Sequence, residues 1–181
     1  YMNIAIVSGS LHPRSRSFVL ARHCQEALAS RSADADLIDL RDYQLPLHTG
    51  TGDCKTPDVL ALSERMQVAD GVVVSAPIYV YDTNAAVKNF VDLTGRAWSD
   101  KPVGFLCAAG GRASYMSIMG LANSLMLDFR CLIVPRFVYA TGDDFTKDRE
   151  SDMAIESEEI RERIGALADA LLHLANALRP T

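Results

Sequence analysis

The sequence predicts an α/β fold in which a doubly wound parallel sheet carries helices on both faces. Short apolar runs alternate along the chain with longer segments whose apolar residues recur at the helical period. Two of the runs, Ile4–Val7 and Gly71–Ala76, show no regular polar alternation, which is typical of strands buried on both faces of a parallel sheet. Polar and glycine-containing loops follow several runs, as expected where the chain leaves the carboxyl end of a strand.

The first half of the chain supplies three predicted strands and two helices. In chain order we predict a strand at Ile4–Val7, a helix at Ser17–Arg31, a more polar strand near a sheet edge at Asp36–Leu40, a helix at Asp58–Ala69 and a central strand at Gly71–Ala76 that Pro77 ends. Residues 41–57 contain prolines and glycines without a clear period, so they are predicted to form a long loop.

The second half completes the alternation. We predict a helix from Thr83 or Asn84 to Leu93, a strand at Pro102–Cys107, an unusually apolar helix at Tyr115–Phe129, a fifth strand at Cys131–Val138 and a closing amphipathic helix at Ser151–Leu178. Five strands in this alternation favour the flavodoxin-like order 2-1-3-4-5, and residues 1–181 are expected to form one domain. In that order the loops after strands 1, 3 and 4 converge on one crevice.

The loop after the first strand is suited to an anion. It holds small residues, several serine hydroxyls and two arginines, and it leads into a helix N-terminus. It lacks both the GxxxxGK[ST] pattern of a nucleoside-triphosphate loop and the GxGxxG pattern of a dinucleotide loop. A terminal phosphate held by hydroxyls, free N–H groups and Arg14 or Arg16 is the favoured interpretation. The alternative is an ordinary turn whose serines cap the helix and whose arginines are solvated.

The loops after strands 3 and 4 suit a flat ligand that carries this phosphate. The segment from Pro77 to Tyr81 is apolar and aromatic, and Gly110 with Gly111 would let the backbone approach a ring. Flavin mononucleotide (FMN) has this shape. The alternative for Tyr79 and Tyr81 is ordinary packing at a strand end.

Composition and charge exclude several other classes of function. A formal net charge of −5 without a large basic block argues against nucleic acid, and no apolar run is long enough to span a membrane. The four cysteines are far apart and form no metal-ligand pattern with histidine. No metal site is therefore predicted, and with nothing resembling a signal peptide the protein is expected in the cytoplasm with reduced thiols.

Three segments together carry a resemblance to a known family. The segments GSLHPRSRS, SAPIYVYDTNAAVKNFVDL and AAGGRAS resemble the NAD(P)H-dependent FMN reductases over roughly residues 3–140. The serine-rich loop most resembles the flavin-supplying reductases of sulfonate-desulfonating systems. The resemblance implies that Ser10, Ser15, Arg16 and Ser17 bind the phosphate, that Pro77, Ile78, Tyr79 and Val80 lie along the ring, and that Gly110 and Gly111 form the third contact.

The sequence departs from the family at two places in these loops. Many members have arginine where His12 stands, so that either Arg14 supplies the charge or the phosphate is held more loosely. Members often have glycine near the start of the helix after strand 3, where this chain has Asp82, Thr83 and Asn84.

The resemblance implies hydride transfer from NADPH or NADH to N5 of FMN, with no catalytic side chain assigned because the cofactor carries the chemistry. A flavin-dependent monooxygenase is one expected recipient of the reduced FMN. Two alternatives stay open: a reductase of quinones, azo dyes or metal oxyanions with permanently bound FMN, and a flavodoxin-like electron carrier. The surplus of apolar residues in Tyr115–Phe129 predicts a homodimer or homotetramer.

Overall fold

A mostly parallel sheet runs through the middle of the structure, a computed structural model that describes residues 1–179 apart from the side chain of Asp53. The strands are β1 (Asn3–Ser8), β2 (Asp34–Asp39), β3 (Gly71–Tyr79), β4 (Asp82–Thr83), β5 (Pro102–Ala108), β6 (Leu132–Ile133), β7 (Val138–Ala140), β8 (Phe145–Thr146) and β9 (Ala154–Ile155). The helices are α1 (Arg16–Ala29), α2 (Pro57–Val68), α3 (Ala85–Thr94), α4 (Met119–Phe129) and α5 (Glu158–Ala177).

The strand order confirms the predicted doubly wound topology. The sheet runs β2-β1-β3-β5, and β6 and β7 then pair with successive parts of β5 to occupy the fifth position. All of these pairs are parallel, and β1 ends opposite Ser75 of β3. The flavodoxin-like order therefore holds, with β2 at the edge as expected.

Side-chain alternation along the buried strands divides the apolar interior between the two faces of the sheet. In β1, Ile4 and Ile6 pack with residues of α1 and α5, whereas Ala5 and Val7 pack with residues of α2, α3 and α4. Because both faces are covered, β1 can be apolar at every central position.

The predicted continuous fifth strand is wrong, because Pro135 interrupts it. Val134 still donates its N–H to the carbonyl of Val103 at 2.9 Å, an ordinary hydrogen-bond length, and the chain then turns. Pro135 has no N–H to offer a sheet, and Arg136 N bonds instead to the carbonyl of Val134 at 2.8 Å. Pairing with β5 resumes only at Val138.

Pro77 does not end the third strand. The strand continues to Tyr79, pairs with β5 as far as Ala108, and folds back through Val80 and Tyr81 into β4. Since β1 ends opposite Ser75, Pro77 lies where β3 has an open edge on that side, a position at which proline is tolerated.

Two helices begin later than predicted. The segment from Tyr115 to Ile118 is not part of α4: Met116 has a left-handed φ of 68°, and the N–H of Ile118 bonds to the hydroxyl of Tyr139 at 3.0 Å. The closing helix begins at Glu158, where Ser157 accepts a capping bond from Ile160 N. The residues before it form the β8–β9 hairpin, which the sequence pattern did not indicate.

Residues 41–56 are largely irregular, as predicted, with short helical turns at Leu40–Asp42 and Gly52–Cys54. Within residues 1–179, no helix combines the length and the apolar character needed to cross a membrane.

Candidate functional site

A cavity of about 120 Å³ lies where the carboxyl ends of β1, β3 and β5 meet. Its lining consists of Ser10, Ser15, Arg16, Ser17, Pro77, Ile78, Tyr79, Ala108, Ala109, Gly110 and Arg149. The three predicted loops therefore do converge. Most of the predicted site residues line this cavity, whereas Arg14, Val80 and Gly111 do not.

The loop after β1 is fixed at Gly9. Its N–H donates to the carbonyl of Ser75 at 2.8 Å, and its own carbonyl accepts from Asn84 Nδ2 at 2.7 Å. A Cβ atom at Gly9 would lie 2.0 Å from Cγ2 of Val87, so only glycine permits this close approach to α3. Asn84, one of the residues at which the sequence departs from the family, thus holds the loop in place.

The serine hydroxyls of this loop are directed to different tasks. Ser15 Oγ accepts from Phe18 N at 3.1 Å and caps α1, and Ser10 Oγ accepts from His12 N at 3.3 Å. Ser17 is 1% exposed, and its Oγ has no hydrogen-bond partner among the described residues. Buried polar atoms are normally paired, and this hydroxyl in the cavity wall can donate to a ligand that enters the cavity.

Arg16 is held by an acidic residue that lies 132 positions away. Its Nε and Nη2 donate to the two carboxylate oxygens of Asp148 at 2.7 and 2.5 Å, and Nη1 donates to the carbonyl of Ala109 at 3.2 Å. The hydrogen bond to Arg16 holds the pKa of Asp148 below its usual value, and the same bond raises the pKa of Arg16. Both groups are charged at neutral pH, and the positive charge of Arg16 is largely compensated.

Arg149 is a cavity residue that the sequence reasoning missed. It lies between β8 and β9 with a left-handed φ of 66°, and its Nη1 donates to the carbonyl of Arg14 at 2.8 Å. The Arg14 side chain itself does not line the cavity. The only local sequence signal was a basic residue in the polar run KDRES, which no motif connected to the first loop.

The β3–β4 hairpin forms one wall and carries backbone strain at its tip. Val80 and Tyr81 have φ values of 51° and 62°, a conformation for which two-residue turns normally use asparagine or glycine. It is costly for β-branched valine, whose side chain is fully exposed. The hydroxyl of Tyr81 donates to the carbonyl of Tyr115 at 3.3 Å and ties the tip to the segment before α4.

The glycine turn after β5 leaves the opposite wall open. A Cβ atom at either Gly110 or Gly111 would meet nothing within 4 Å. Gly111 borders a second cleft of about 280 Å³ that also includes Arg112, Tyr115 and Tyr139. A broad, flat ligand could therefore extend from the cavity across these glycines.

Other chemistry is not organised at this site. All four cysteines are buried and unpaired, and burial raises the pKa of Cys24 and Cys107 to about 12. Among the side chains that the structure describes there is no cluster of metal-ligating groups, and neither histidine nor carboxylate side chains line the cavity. The lining can bind and orient an anionic ligand, but its serine hydroxyls have no histidine or carboxylate in the cavity that could act as a base toward them.

Comparison with known proteins gives a consistent result. The family model for NADPH-dependent FMN reductase matches residues 2–146. An NAD(P)H-dependent FAD/FMN reductase from Geobacillus thermodenitrificans (strain NG80-2) is 30% identical over 148 residues, which cover 81% of this chain and 78% of that protein. The NADPH azoreductase of Bacillus sp. (strain OY1-2) is 25% identical over 143 residues, 78% of each chain.

Solved structures share the fold at lower identity. A flavoenzyme NAD(P)H:(acceptor) oxidoreductase from Paracoccus denitrificans superposes with a TM-score of 0.78 at 19% identity over 98% of both chains. An oxidoreductase from Corynebacterium diphtheriae gives a TM-score of 0.80 at 21% identity, also over 98% of both chains. Since the family match extends over most of the sequence, the chain belongs to the NADPH-dependent FMN reductase family.

Proposed function

We propose that this chain reduces FMN with NADPH or NADH, and that the cavity at the end of β1 receives the FMN phosphate. The observation that carries the proposal is the Ser17 hydroxyl, which is buried and unpaired among the described residues in the wall of a cavity lined by two arginines and no carboxylate. A phosphate would supply the acceptors that this hydroxyl and the N-terminal N–H groups of α1 lack.

Each wall of the site has its own task in this proposal. Ser10, Ser15, Arg16 and Ser17 hold the phosphate, with Arg14 contributing positive charge from outside the lining. Pro77, Ile78, Tyr79 and Val80 lie along the isoalloxazine ring. Gly110 and Gly111 let the backbone approach the ring. Residues 1–181 then act as a single FMN-binding domain.

When bound, FMN would supply the redox chemistry, as the acceptor of the hydride from NADPH or NADH. The side chains of the cavity bind and orient the ligand, and none of them is assigned a proton transfer.

Replacing Tyr79 with alanine should lower the affinity for FMN and the affinity for riboflavin to the same degree. Tyr79 lines the cavity and is 50% exposed, so its ring is available to a flavin. Aromatic contacts are worth about 0.5–1.5 kcal/mol beyond burial, which corresponds to a loss of about two- to tenfold in affinity. Flavin titration measures both ligands. Unchanged affinities would show that Tyr79 does not contact the ring.

Steady oxidation of NADPH or NADH by the purified protein with FMN, without a partner protein, tests the proposed function. A protein that binds FMN but oxidises neither nucleotide would contradict it and favour an electron carrier.

The final acceptor of the electrons is a separate question. Reduced FMN released to a flavin-dependent monooxygenase requires FMN to act as a substrate. Relatives named azoreductase and quinone oxidoreductase favour, as a second candidate, the reduction of azo dyes or quinones. In that candidate FMN stays bound, and metal oxyanions are a further candidate acceptor.

The colour of the purified protein separates these two candidates. A yellow protein that keeps its flavin through gel filtration and reduces a quinone or azo dye supports the retained prosthetic group. A colourless protein that turns over added FMN supports flavin as substrate.

We also propose a cytoplasmic homodimer or homotetramer. In α4, Leu127 is 77% exposed while Leu121 and Leu125 are buried, so the helix has apolar surface that this chain does not cover. The exposed hairpin tip is bonded through Tyr81 to Tyr115, in the segment that precedes α4. Exposed apolar surface of this kind is typical of an interface. Light scattering at low micromolar concentration should give a multiple of 19.8 kDa, and a monomeric mass would contradict the proposal.

A further inference from the structure

We propose that Arg149 is a phosphate-binding residue, and that it contributes directly to this protein's preference for FMN over riboflavin. The inference rests on the proposed FMN site and adds a residue from outside the three predicted loops. Residue 149 also lies beyond residue 146, where the family match ends.

The hydrogen bonds of the two cavity arginines differ. Arg16 uses three of its nitrogens for Asp148 and the carbonyl of Ala109. Arg149 uses only Nη1, for the carbonyl of Arg14, and its guanidinium forms no ion pair with any side chain that the structure describes. Its remaining N–H donors are therefore available to a ligand.

The neighbouring acid does not neutralise Arg149. Asp148 is adjacent to Arg149 in sequence, but both of its carboxylate oxygens are bonded to Arg16. The hydrogen bond to Arg16 is the main cause of the lowered pKa of Asp148, and the charge of Arg149 adds to it. Asp148 lines the adjoining cleft together with Asp143, and neither lines the cavity. With Arg16 and Asp148 compensating each other, Arg149 is the lining residue with uncompensated positive charge.

The segment that carries Arg149 is tied down at two points of the first loop. Asp148 bonds to Arg16 and Arg149 bonds to the carbonyl of Arg14, so consecutive residues clamp the two sides of Ser15. The backbone of Arg149 is left-handed, a conformation that costs free energy for a residue other than glycine. The left-handed backbone does not favour arginine at this position, whereas the side chain of Arg149 makes a contact there, to the carbonyl of Arg14.

A guanidinium matches a phosphate dianion in geometry and charge, whereas riboflavin has the same ring and no phosphate. Replacing Arg149 by glutamine should therefore lower the affinity for FMN by about ten- to a hundredfold and leave the affinity for riboflavin unchanged within about twofold. Arg149→Lys should recover part of the loss, because it restores charge without the fork of donors. Arg22→Gln, an exposed residue of α1 that does not line the cavity, is the control for the same change in net charge.

Inorganic phosphate provides a readout that needs no flavin. Phosphate should raise the melting temperature of the flavin-free wild type more than sodium chloride of equal ionic strength does, since binding to the folded state stabilises it. Arg149→Gln should lose that difference, and Arg22→Gln should keep it.

The outcomes separate this inference from the proposed function. If the wild type binds FMN no more tightly than riboflavin, the phosphate site itself is wrong. If the wild type prefers FMN and the Arg149→Gln variant keeps the full preference, Arg149 does not bind the phosphate. The same conclusion holds if the variant loses affinity for FMN and for riboflavin to the same extent. Should the glutamine variant unfold, Arg149→Gly suits the left-handed backbone, and the same criteria apply to it.

Discussion

Replacing Gly9 with alanine should destabilise the protein by about 2–3 kcal/mol and abolish flavin binding at concentrations that saturate the wild type. The added methyl would lie 2.0 Å from Cγ2 of Val87 and 3.4 Å from the carbonyl of Ser75. Val87 is fully buried and β-branched, so it has little freedom to move aside. The loop can accept the methyl only by breaking its bonds to Ser75 and Asn84, which would displace the serines behind it.

Denaturant unfolding of the flavin-free protein measures the change in stability. Gly52→Ala is the matched control, because a Cβ atom there meets nothing within 4 Å. The double variant Gly9→Ala/Val87→Ala removes the clashing atom and should be more stable than Gly9→Ala alone. Wild-type stability in Gly9→Ala, or no gain in the double variant, would show that the close approach of the loop to α3 does not constrain residue 9.

Replacing Arg16 with methionine should reduce FMN affinity by about a hundredfold while changing riboflavin affinity little. The variant loses a charged donor of the cavity wall, and hydrogen bonds to charged groups are worth about 1.5–3 kcal/mol. It also leaves the carboxylate of Asp148 without the partner that holds it at 2.5 Å, so that a bare negative charge stands near the phosphate. The two effects add, which makes this the largest loss expected from a single side chain of the loop. Parallel titrations with both flavins provide the measurement.

Asp148→Asn in the Arg16→Met background tests the second effect. Removing the uncompensated carboxylate should recover about tenfold of the lost FMN affinity, and the two single variants with the double variant form a thermodynamic cycle. No recovery would mean that Arg16 acts only by direct contact. Equal losses of FMN and riboflavin in Arg16→Met would mean that the ion pair shapes the ring pocket rather than the phosphate site.

Much of the architecture follows from local pattern. Ile4–Val7 and Gly71–Ala76 are apolar because both faces of the sheet are covered, and burial of this kind is visible in any short window of sequence. Once the strands alternate with helices, parallel topology places the loops after strands 1, 3 and 4 at the same end of the sheet. The convergence of the serine, hairpin and glycine segments on one cavity could therefore be predicted without coordinates.

Element ends were less predictable, because tertiary contacts decide them. The apolar residues of Tyr115–Ile118 continue the helical pattern. The N–H of Ile118 nevertheless donates to the hydroxyl of Tyr139, and α4 begins only after it, at Met119. The turn at Val80 and Tyr81 carries no glycine or asparagine, so nothing in its composition indicated a hairpin. Its strained backbone is maintained by the pairing of β3 with β4 and by the contact with Tyr115.

The sequence by itself determined the sheet and its order, and it predicted a loop suited to an anion. Only the tertiary structure decided which charged side chains line the cavity beside that loop. Arg16 is compensated by Asp148 across 132 residues, and Arg149 reaches the carbonyl of Arg14 across 135. Periodicity and motif spacing report on neighbours along the chain and on faces of single elements. Contacts between residues this far apart in sequence depend instead on how the β8–β9 segment packs over the first loop.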